Sequence, residues 1–150
     1  MSNYRSRPKG NYIQEATWEE LYLLTESWKN DFELYLLEIQ FLEQLIETYL
    51  VKLLIYENFD IIKELQLESK ELKNRGKNML KHLRNHLLWI IEIIDESYYE
   101  KNHVLRGQQE SFEEDISCFA ESLKIIRYII YGKLKDILEQ QQPKFIWKYN

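Results

Sequence analysis

WEELYLLTESWKNDFELYLLEIQFLEQLIETYLVKLLIY, residues 18–56, decides the fold. Apolar side chains fall at Trp18, Leu21, Trp28, Phe32, Tyr35, Ile39, Leu42, Ile46, Tyr49, Leu53 and Tyr56, with Thr25 the polar interruption. The steps of three and four residues form a heptad seam, the period of a helix packed along one side. Thr17-Trp-Glu-Glu20 just before it reads as a capping box, in which the Thr side chain takes one orphan amide and the Glu reaches back to another. The stretch predicts one helix over 17–57, about 60 Å long at 1.5 Å per residue.

Outward from there, Asn58 to Asp60 offers turn chemistry, with Asp60 the expected cap of a second helix. That helix is expected over 60–97, its seam running Ile62, Leu65, Leu72, Met79, Leu83, His86, Ile90 and Ile93, with Ser69 and Gly76 on the same line. A helical Gly costs about 1 kcal/mol against Ala, so a kink or break near Gly76 is expected. Residues 98–110 carry Gly107 and little pattern and read as a loop. Ser111-Phe-Glu-Glu114 is a second capping box, and a third helix follows over 111–141 with Phe112, Ile116, Phe119, Leu123, Ile126, Ile130, Leu134 and Ile137. Residues 1–16 read as a flexible arm and 142–150 as an aromatic tail after the last helix.

The chain has 150 residues, 45% hydrophobic, with four Gly and two Pro. That suits a single domain with a sizeable core and lacks the punctuation of a many-stranded fold. The expected fold is all-α: a long antiparallel three-helix bundle, up-down-up, open to extension by dimerisation. The net charge of −5 weighs against nonspecific nucleic-acid binding. Cys118 is the one cysteine, which excludes an intrachain disulfide and fits a reducing compartment. The first ten residues are polar and basic, unlike a secretory signal, and the longest apolar run, Leu87 to Ile94, is too short for a bilayer. The expectation is a cytoplasmic protein without a membrane span.

The first helix is greasy on more than one face. Leu34, Leu37, Phe41, Val51 and Ile55 also step by threes and fours, with Gln44 and Thr48 in the gaps, on the side away from the seam. A helix apolar nearly all round wants neighbours on more than one side. Three covers compete: the same stripe of a second chain, the arm and tail through Tyr12, Ile13, Phe145, Ile146 and Trp147, or a different protein.

Three constellations could carry chemistry. His82 and His86 are spaced i, i+4, so both can face one metal, with Cys118 as a possible third ligand. Leu83 stands where the zinc-protease pattern needs Glu. The bundle resembles ferritin-like di-iron proteins in outline, but those need Glu-x-x-His on two helices. Here the motif occurs as Glu100 to His103, in the expected loop, and no family residue carries over. Lys70, Lys73, Lys77, Lys81 and Arg84 form a cationic stripe on the second helix, with Arg75 nearby. Through Lys70, Lys77 and Arg84 it could take an anion. It could equally pair with Glu33, Glu38, Glu43 and Glu47 of the first helix and Glu110, Glu113, Glu114 and Asp115 of the third. Tyr98-Tyr99 and Tyr128 with Tyr131 suit interfaces or bundle edges. No Gly-rich phosphate loop, nucleophile elbow or catalytic carboxylate pair is present, and no catalytic residue or cofactor is expected. The functional expectation is a non-catalytic structural or protein-interaction bundle, with a homodimer or other protein partner through the first helix. The alternatives are metal binding at His82 and His86 or anion binding on the second helix.

Overall fold

A computed structural model describes residue 7 and residues 10–96 and 102–140. The expectations on Tyr98, Tyr99, Glu100 and the tail's Phe145, Ile146 and Trp147 lie outside the described residues. The described residues form five helices and no strand: α1 (Tyr12–Glu15), α2 (Trp18–Thr48), α3 (Leu50–Tyr56), α4 (Phe59–Glu96) and α5 (Asn102–Gln140). The protein is all-α.

The capping box forms as expected. The Glu20 amide donates to Thr17 Oγ1 at 3.1 Å and the Thr17 amide to Glu20 Oε1 at 3.2 Å. The expected single first helix is divided at Tyr49, whose φ of −103° and ψ of 14° leave the helical region. Just before it, the Thr48 hydroxyl donates to the Gln44 carbonyl at 2.8 Å. Such back-bonding competes with the helix ladder and bends it. The amides of Tyr49 and Leu53 still donate to Leu45 and Tyr49, so α3 continues α2.

Two further boundaries correct the sequence reading. Asn58, rather than Asp60, caps α4: its Oδ1 accepts the Asp60 amide at 2.8 Å. The third helix begins at Asn102, not 111, so Ser111 lies inside it and no second capping box opens it. The reason is packing. Leu105 and Gln109 are buried on the face that continues to Ile116, while Gly107 faces open space and costs only its propensity.

The arm is docked from Gly10 onward rather than loose. Ile13 and Ala16 are buried with Leu21 in a small cluster. Arg106 of α5 donates to the carbonyls of Ile13 at 2.8 Å and Ala16 at 2.9 Å, and its guanidinium lies 4.5 Å over the Trp18 ring. The buried pair of Arg7 with Glu113, and Gln14 with Glu110, fasten the same end.

One core joins α2 through α5, with Trp28, Phe32, Ile39, Leu42, Ile46, Leu53, Ile62, Leu83, Ile116 and Leu123 among its buried side chains. Burying each large apolar side chain contributes about 1.5–3 kcal/mol, which offsets the chain entropy. Helix α4 does not break at Gly76. A Cβ there would lie 2.9 Å from Leu36 Cδ2 and 3.0 Å from Phe119 Cζ. The glycine lets α2, α4 and α5 approach where Phe119 stacks among Phe32 and Tyr35, at centroid distances of 4.7 and 5.9 Å. Cross-helix pairs show the directions. Glu43 meets Lys73 and Glu33 meets Arg84, in opposite order along α2 and α4. Thr25 meets Gln109 and Glu38 meets Arg127, in the same order along α2 and α5.

Candidate interaction surface

The face of α2 opposite the core carries Leu34, Leu37 and Phe41, and α3 carries Val51 and Ile55 on the same line; all five are 54–73% exposed. Gln44 and Thr48, which fill the gap, are exposed too. The periodicity itself produces this. With the seam residues at the core, positions on the far side of a helix of 100° per residue must face outward. Tyr12 and Ile13 do not cover this line, because they pack beside Ala16, Trp18 and Leu21 at the other end of α2. That corrects the arm's half of the expected cover.

The stripe has charged flanks. On one side Glu33 meets Arg84 at 3.7 Å, and Lys73 holds Glu43 with both carboxylate oxygens at 2.8 and 3.1 Å. On the other side Arg127 of α5 grips Glu38 in a two-point pair, its Nη2 at 3.1 Å from Oε2. Part of the cationic stripe is thus matched by α2, as expected of charges beside a helix seam. Lys70 and Lys77 are exposed. The acids of the third helix serve differently from the expectation: Glu110 and Glu113 bind the arm, not α4.

His82 and His86 part company. His82 is exposed, whereas His86 is 2% exposed and sits edge-on to Phe112. His86 Nε2 lies 2.7 Å from Gln109 Oε1, Gln109 Nε2 donates to Thr25 Oγ1 at 2.7 Å, and Thr25 donates to the Leu21 carbonyl at 2.7 Å. The direction of this chain assigns the His86 proton to Nε2 and leaves Nδ1 an acceptor without a partner among the described residues. Burial pushes the His86 imidazole below its usual value, against the opposing pull of its bond to Gln109 and of the nearby Gln108 amide. Both histidines line a cleft of about 340 Å³ with Asn85, Trp89, Gln108, Ser111 and Phe112. Cys118 is exposed and stands nine residues beyond Gln109 on α5, about 13 Å along the helix, so it is remote from the pair. Among the described residues no three His, Cys, Asp or Glu side chains gather as a metal ion would need.

Sequence reasoning missed this buried polar layer of three helices. Its signal was a polar residue on each apolar seam: Thr25, His86, and Gln109 between Leu105 and Phe112. Among the described residues no helix is long and apolar enough to cross a membrane. No protein-family model, curated protein or solved structure matches the chain.

Proposed function

We propose that the protein is a non-catalytic helical bundle whose work is to bind another protein surface through the outer stripe of α2 and α3. The observation that carries this is the line of five large apolar side chains, more than half exposed and evenly spaced. Apolar patches of this extent on a chain usually mark an interaction site. In this reading α2 with α3, α4 and α5 are the up, down and up rods of a three-helix bundle, supported by the orders in which their cross-helix side-chain pairs run. The rods carry the stripe on their outer side, and the Thr25–Gln109–His86 layer fixes their register.

The test follows from exposure. Leu37→Glu with Phe41→Glu removes no core contact, so the variant keeps the parent's helicity. A photo-crosslinking residue at position 37 gives covalent adducts in cells expressing the parent, and one at exposed Lys63 gives none. The Phe41→Glu change abolishes the adduct at 37. Absence of any adduct at 37 would end the interaction reading.

A further inference from the structure

The outer stripe is spaced symmetrically about position 46. Leu37 and Ile55 each stand nine residues from it, Phe41 and Val51 five, and Gln44 and Thr48 two. Leu34, also exposed, stands twelve residues away, beyond the reach of α3 on the other side. We infer that the stripe binds the same stripe of a second copy of this chain, run in the opposite direction about a two-fold axis at position 46. This rests on the stripe being an interaction face and names its occupant.

A two-fold pair of opposed helices requires each residue at a given distance before the axis to suit the residue at that distance after it. Here Leu37 meets Ile55 of the second copy, Phe41 meets Val51, and Gln44 meets Thr48, an amide against a hydroxyl at the centre. Each apolar residue meets an apolar one of different shape. A foreign partner imposes no such symmetry on its binding face.

Charge selects the direction. Opposed helices bring Lys52 close to Glu38 of the second copy, since they stand six residues after and eight residues before the axis. Glu38 then stands between Arg127 of its own chain and Lys52 of the other. Helices running the same way place Glu33 beside Glu38 of the other chain and stack Phe41 on Phe41. The five apolar side chains are 54–73% exposed and would form the apolar centre of an interface that at standard size buries ~800 Å² per partner.

The experiment uses the full chain carrying Cys118→Ser, with one nitroxide attached at Glu33→Cys or at Glu47→Cys. Light scattering gives twice the 18.5 kDa chain mass for both. Pulsed electron paramagnetic resonance gives about 40 Å between labels at 33, which lie 26 residues apart along the axis, and under about 20 Å between labels at 47. Lys52→Glu weakens the dimer several-fold, and less so in high salt. A monomer at all concentrations overturns the second copy as occupant while leaving the crosslink at position 37 to judge the interaction reading. A dimer with short distances at both labels overturns the opposed direction, and one with long distances at both overturns the use of this face.

Discussion

Gly76→Leu is expected to lower the free energy of unfolding by about 3 kcal/mol, measured by urea titration, whereas Gly107→Ala raises it by about 0.5–1 kcal/mol. Both positions are helical glycines, and helix propensity alone would favour either change. The difference lies in the neighbours. A single carbon at Gly76 already comes within 2.9 Å of Leu36 Cδ2 and 3.0 Å of Phe119 Cζ. Leu36 can swing aside, because it is half-buried and Cδ2 is its far end. The Phe119 ring cannot, since it is held between Phe32 and Tyr35 and sits beneath the Arg75 guanidinium. Four carbons at position 76 therefore drive α4 away from both partners in the middle of the core. At Gly107 nothing lies within 4 Å of the new carbon, so only the unfolded chain's lost freedom counts. Equal stabilities for the two variants would show that the three helices are not in close approach at Gly76.

That glycine also marks the limit of what periodicity conveys. The seam positions Phe32, Ile39, Leu42, Leu83, Ile116 and Leu123 were legible because burial of one face repeats every 3.6 residues, and all are buried. Gly76 was legible only as a cost to helix propensity. Its benefit depends on which residues of other helices face it, and spacing along one chain does not contain that. The start of α5 failed for a related reason. Ser111-Phe-Glu-Glu114 has the composition of a cap, but the residues before it, Leu105 and Gln109, have tertiary partners that hold the helix open upstream. With Gln109 in a stretch of little pattern, Thr25 and His86 each read from the sequence as an isolated polar residue on a seam. The exposed stripe was visible from the start because its pattern is local to one helix. The discontinuity at Tyr49 left no mark in the heptads, since Leu53 keeps its place in the core beyond it.

Lowering the pH from 7.5 to 5.5 is expected to destabilise the protein through His86. Burial lowers its folded-state pKa from the ordinary 6.5. The unfolded chain therefore takes up a proton before the folded one does. The contribution is fully present above about pH 6.5 and is lost as pH falls below it towards the folded value, at up to about 1.4 kcal/mol per pH unit for one proton. The geometry gives the same sign. A second ring proton would place a full charge in a buried site edge-on to Phe112. The groups facing the ring from α2 and α5 are Thr25, Gln108, Gln109, Ser111 and Phe112, with Asn85, Trp89 and the titratable His82 on α4 itself; none is a carboxylate that could stabilise the cation. His86→Leu should flatten the slope between pH 7.5 and 5.5 while costing about 1–3 kcal/mol at pH 7.5, because Gln109 Oε1 loses its donor. His86→Leu with Gln109→Leu recovers most of that cost, because the Thr25 hydroxyl still donates to the Leu21 carbonyl and no buried group is left unpaired. Urea titrations of the three proteins at five pH values decide it. A parent whose stability is flat down to pH 5.5, or a double variant as unstable as the single one, would show that this layer does not hold the three helices as described.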